Sequence, residues 1–240
     1  MASLAPRSKS ATVDVPSLAR RASSFCDQPS RARAERIWAE VAEFCCLMRH
    51  EGHPYYVAFL KAAELHGATH QAVMEFQVAT DKRLPRILAG RSIITFHYRK
   101  NIAAVQRAVE KHKTETGYMN VSSVELTVLD LVRYPRTSGG IDNIATIISD
   151  LGDKLDMAKL ARLTPQFELS VIQRLGYLLA RFGHADRAER LYRSLPEGTA
   201  LPWVELEPAR GKRNAPFVST PIQEDERWHV VVRRLPERDE

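Results

Sequence analysis

A change of hydrophobic period at Ser122 constrains this chain more than any other feature. Before it, Met74, Phe76 and Val78 alternate with Glu75, Gln77 and Ala79, and Ile94, Phe96 and Tyr98 alternate with Thr95 and His97. Such alternation marks half-buried strands, because successive side chains leave a strand on opposite faces. Arg86 to Leu88 supplies a further short strand across a turn at Ala89-Gly90, and Tyr118 to Val121 another. Beyond Ser122 the spacing turns helical. Val124, Val128, Leu131 and Val132 form one apolar stripe, and Ile141, Ile144, Ile147, Ile148 and Leu151 the next. Ile172, Leu175, Leu179 and Phe182 form a third, and Ala188, Leu191, Tyr192 and Leu195 a fourth. Strands segregated from helices predict an α+β fold, with an antiparallel sheet over about 72–121 packed with a helical block over 122–195.

Two helices are expected ahead of the sheet. Ile37, Val41, Phe44, Cys45 and Met48 share one helical face, giving a helix over 33–50. After His53-Pro54, residues Tyr56, Phe59, Leu60 and Ala63 suggest a second over 54–66, closed by His66-Gly67. Residues 1–30 hold Pro6, Pro16, Pro29 and many small polar residues, and read as a disordered leader to a domain over 31–240. Their Ala, Ser and Arg resemble a transit peptide, which Asp14 and Asp27 oppose. Near the end, Trp203 to Leu206 and Arg227 to Val232 read as strands within 202–234 that complete the earlier sheet.

With 240 residues at 44% hydrophobic composition, the chain can bury one substantial core. Its 35 Lys and Arg exceed its 29 Asp and Glu, and the resulting charge of +6 suits an acidic or nucleic-acid partner. Cys26, Cys45 and Cys46 are odd in number and two are adjacent, which favours a reducing compartment, the cytoplasm, over a disulfide framework. No apolar run approaches the roughly 18 residues of a membrane helix.

The residues with chemical potential read mostly as structural. Ser122-x-x-Glu125 has the pattern of a capping box, and Gly139-Gly140 breaks the chain between two helices. Asp130, inside the apolar run TVLDLV, is expected to be buried and to need an arginine donor. His66 and His70 have metal-ligand spacing, but Gly67 interrupts their helix, and His50 and His53 straddle a break, so no metal is expected. There is no G-x-S-x-G and no phosphate loop, while Glu125 and Asp130 lie on different helix faces. Neither a catalytic residue nor a cofactor is expected. Glu205 and Glu207 alone would support a degenerate nuclease, without a complete site. Arg99, Lys100, Arg133, Arg136, Arg210, Lys212, Arg213, Arg233 and Arg234 are candidate contacts to nucleic acid or a partner, gathered on one basic face. No helix-turn-helix is evident.

The run GYMNVSSVELTVLDLVRYPRTSGGIDNIATII carries a Gly-Tyr pair, Ser-x-x-Glu, Thr, Leu-Asp, a Tyr-Pro turn and Gly-Gly before Asn. In this order it resembles the AbiEi-type antitoxins. HPYYVAFLKAAELHGATHQ and FQVATDK upstream fall in the same succession, as do QRLGYLL, PWVELEP and RWHVVV downstream, so the resemblance spans roughly His53 to Arg234. It marks Ser122, Glu125, Asp130, Gly139, Gly140, Arg174, Gly176 and Tyr177 as motif residues with structural roles. It implies a type IV antitoxin that opposes a toxin of nucleotidyltransferase fold in an abortive-infection or phage-defence setting, without a cofactor. Such proteins also carry a winged helix-turn-helix that binds their own promoter. About fifty residues precede the resemblance here, fewer than that domain and a linker need, so the expectation centres on the antitoxin domain. The alternative is a DNA-binding regulator acting through the basic face without toxin contact.

Overall fold

The computed structural model describes residues 52–68, 73, 75–89, 92–114, 117–207 and 220–238. The expected leader, the helix over 33–50, His70, and the basic loop with Arg210, Lys212 and Arg213 lie outside the described residues.

The chain is α+β, and its larger sheet is mixed. That sheet contains β1 (Tyr55–Val57), β2 (Glu75–Thr80), β3 (Ile87–Ala89), β4 (Ser92–Tyr98), β5 (Val109–Thr114) and β6 (Gly117–Ser122) in the order β3-β4-β2-β1-β6-β5. Hairpin neighbours β3/β4 and β5/β6 pair antiparallel, as does β1 with β2. The pairs β2/β4 and β1/β6 are parallel, which corrects the purely antiparallel expectation. Connections long enough to cross over, through β3 in one case and most of the sheet in the other, make those parallel pairs possible.

A second correction concerns β1. The expected helix over 54–66 is divided into a strand, Tyr55–Val57, and a shorter helix, α1 (Phe59–Leu65). Tyr55, Tyr56 and Val57 are buried between β2 and β6, and a strand buried on both faces is apolar throughout, so it shows no alternation. The chain turns at Phe59, whose φ of 55° lies in the left-handed region that bulky residues avoid. Gln77 holds this turn from inside: its backbone O accepts from Ala58 N at 3.0 Å, its Oε1 accepts from Leu60 N at 2.9 Å, and its Nε2 donates to Thr137 O at 3.1 Å.

The capping residue at the next helix is shifted by one. Ser122 ends β6, and its Oγ donates to Val57 O. Ser123 is the N-cap of α2 (Val124–Arg133), accepting from Leu126 N and donating to Glu125 Oε2. Glu125 does not reach back to the cap's own N–H as in a capping box. Its other oxygen accepts from Asp156 N, 31 residues on, so it ties two helical segments together.

The helical block follows the predicted stripes. Gly140, at φ 95°, is the N-cap of α3 (Ile141–Leu151), whose five stripe residues are all buried. The unforeseen α4 (Met157–Leu163) is capped by Asp156, which accepts from Ala158 N and Lys159 N. Then come α5 (Leu169–Arg181) and α6 (Ala185–Arg193). The terminal strands do not complete the large sheet. They form a separate one, ordered β7-β9-β8, from β7 (Val204–Glu205), β8 (Gln223–Asp225) and β9 (Val230–Val232). Trp228, preceding β9, seats its ring where a Cβ on Gly176 of α5 would lie, 2.2 Å from the ring carbon Cζ2. That bare helix surface fixes the small sheet to α5. The main core joins α2, α3 and α5 to one face of the large sheet through Tyr56 and Ala79, while Tyr55, Val57, Phe76, Val78, Ile94, Met119 and Val121 cluster on the other.

Candidate functional site

Three polar side chains meet beneath the end of β4. Tyr56 Oη donates to Asp130 Oδ2 at 2.8 Å, and Arg99 Nη1 lies 2.6 Å from Asp130 Oδ1 and 3.2 Å from Tyr56 Oη. Asp130 is 1% exposed and Arg99 7%. Burial pushes the Asp130 carboxyl above its ordinary range, against the pull of Arg99 and of the Tyr56 hydrogen bond. Burial also drives the Tyr56 hydroxyl well up, reinforced by the neighbouring carboxylate. For Arg99, burial opposes the charge, yet Asp130 and Tyr56 outweigh it and the guanidinium stays cationic. Asp130 therefore has the arginine donor expected for it. That donor is Arg99, which removes Arg99 from any exposed basic face.

Above this trio opens a pocket of about 280 Å³, lined by Tyr98, Arg99, Lys100, Asn101, Arg133, Tyr134 and Gln166. The end of β4 and the turn after it supply four of these residues, the end of α2 supplies two, and the 3-10 turn Thr164–Gln166 the last. Two guanidinium groups lie over the Phe167 ring, that of Arg99 at 4.8 Å and that of Arg133 at 5.7 Å from its centroid. Arg133 also sits over Tyr134 and pairs with Glu168, while Arg83 covers the Tyr98 ring at 5.1 Å.

The other basic residues do not join this group. Arg136 is exposed on the turn after α2. Arg233 pairs with Glu205 at 2.8 Å, and Arg234 bridges Asp142 at 2.8 Å and Glu207 at 3.0 Å. The expected single basic face is thus divided, because two of its arginines neutralise carboxylates beside the small sheet. Those pairs also occupy both acidic residues of the nuclease reading. Arg174 donates from Nε to Glu205 O and links α5 to β7. Tyr177 is buried, and burial raises its hydroxyl pKa. His66 Nε2 lies 2.7 Å from Ser122 O, and burial lowers its pKa. Among the described residues no three His, Cys, Asp or Glu side chains converge as metal ligands, and no helix is long and apolar enough to cross a membrane.

The pocket's three cations are legible in the sequence, whereas Tyr98 as a wall, Asn101, Tyr134, Gln166 and the adjoining Phe167 are not. The aromatic-cation adjacency of Tyr98-Arg99-Lys100 was the one available signal; nothing local points from there to residues 166 and 167.

Fold and site together define an α+β domain with a buried ionisable trio and, above it, an open pocket lined by three cations. The chain belongs to the AbiEi antitoxin family: the family model described as AbiEi antitoxin C-terminal domain matches residues 56–181, from β1 through α5. Membership gives it an antitoxin role and, in general terms, a toxin as partner. The crystal structure of the RV2827C protein from Mycobacterium tuberculosis is similar, with a TM-score of 0.59 and 15% identity, over 80% of this chain and 67% of that one. At that identity the likeness is one of fold. No curated protein matches the chain.

Proposed function

We propose that this protein is the neutralising component of a type IV toxin-antitoxin pair, opposing a toxin of nucleotidyltransferase fold in a phage-defence setting in the cytoplasm. The observation that carries this reading is the family match over 56–181, which takes in the large sheet except Tyr55 and most of the helical block. Co-expression tests it: the adjacent toxin gene alone arrests growth, and supplying this chain restores it. Failure to restore growth, or absence of a nucleotidyltransferase-fold toxin beside the gene, overturns it.

A second reading, repression of its own operon, is favoured by the net charge of +6 and by the exposed Lys100 and Arg136. Phosphate contacts are strongest at low salt, so a promoter fragment that is retarded at low salt and released as salt rises supports it. No retardation at low salt removes it.

A further inference from the structure

We propose that the pocket between β4 and α2 is a binding site for a phosphate monoester of about mononucleotide size. Arg99, Lys100 and Arg133 bring three cations to its lining, and no carboxylate lines it, although Glu168 outside the lining pairs with Arg133. Asp130 lies behind Arg99 and engages only Nη1, so Nε and Nη2 have no acceptor among the described residues. The guanidinium plane is fixed by Asp130 on one side and by the Phe167 ring at 4.8 Å. A buried arginine held this way meets an anion with little further ordering, which is the usual advantage of a preorganised fork. Lys100, exposed at the rim, makes no ion pair among the described residues.

Three features favour a phosphate. Arg99 and Lys100 come from just after the end of β4 and Arg133 from α2, so the cations approach from two elements, which suits the three terminal oxygens of a tetrahedral group better than the two coplanar oxygens of a carboxylate. Tyr98, Tyr134, Asn101 and Gln166 add aromatic walls and neutral donors, the complement of an attached organic group. The volume, about 280 Å³, far exceeds a bare phosphate, which occupies on the order of two or three water volumes of ~30 Å³ each. This site is independent of the antitoxin reading, since it concerns binding by this chain alone.

Calorimetric titration of the full chain tests it with inorganic phosphate, AMP, adenosine and acetate. AMP and phosphate are expected to bind saturably, AMP the more tightly; equal binding of the two marks a free-anion site and overturns the assignment to an ester. Lys100→Glu, at an exposed position, is expected to weaken both by about tenfold, the scale of one lost charge-assisted contact. Lys111→Glu, on β5 at the opposite edge of the sheet, is expected to change them less than about twofold, as a distant exposed charge should. Three further results overturn the proposal: no saturable binding of either phosphate or AMP, adenosine or acetate binding as tightly as AMP, or equal weakening by the two variants.

Discussion

At the scale of single residues, Asp130 shows how a polar group survives in an apolar helix. Its carboxyl is fully enclosed, and Tyr56 and Arg99 supply its hydrogen bonds. Removing one partner of such a pair leaves an uncompensated buried charge, whereas removing both does not. Arg99→Ala and Asp130→Ala are each expected to cost about 3–5 kcal/mol in urea denaturation, and the double variant clearly less than their sum. Additive losses would show that the pair is not coupled. Two half-buried histidines give a pH prediction. Burial lowers the pKa of His66 and of His97 from 6.5, so the unfolded chain binds protons that the folded one refuses. Stability from these groups is full above pH 6.5 and is lost as pH falls through that unfolded value towards the lower folded ones. The urea midpoint should therefore fall between pH 7.5 and 5.5, with a shallower fall in a His66→Asn, His97→Gln variant; an unchanged slope in that variant refutes the assignment.

At the scale of elements, short-range chemistry decides boundaries and close contacts. Ser123, not Ser122, holds the α2 N-cap, so Ser123→Ala should cost about 1 kcal/mol, measured by thermal unfolding. The joint between α5 and the small sheet depends on Gly176 lacking a side chain. An alanine there puts its Cβ 2.2 Å from the Trp228 ring, which is 1% exposed and has no room to retreat. Gly176→Ala should destabilise by about 1–3 kcal/mol, the usual cost of overpacking. In a Trp228→Leu background the same substitution should be neutral or slightly stabilising, since alanine is the better helix former; an equal penalty there would mean that another neighbour is responsible.

At the scale of the whole molecule, the sequence by itself determined the α+β division, the four apolar stripes of the helical block and the need of Asp130 for an arginine. Each is a local matter: period reports which face of an element is apolar, and an acid within an apolar run requires a donor wherever it folds. It also carried enough ordered motifs to suggest the antitoxin family. The tertiary structure alone decided which surfaces meet. Tyr55–Val57 is a strand because β2 and β6 flank it, the parallel pairs arise from crossovers that leave no local mark, and the last three strands stand apart because Trp228 fits against Gly176. The same holds for the pocket between β4 and α2. Residues 98–101, 133–134 and 166 are far apart in the chain, and only packing of the 3-10 turn and of the end of α2 against the end of β4 brings their charges together. Hydrophobic pattern fixes an element's buried face, but the identity of what covers that face, and of the ion that answers a charge, depends on distances set by the assembled core.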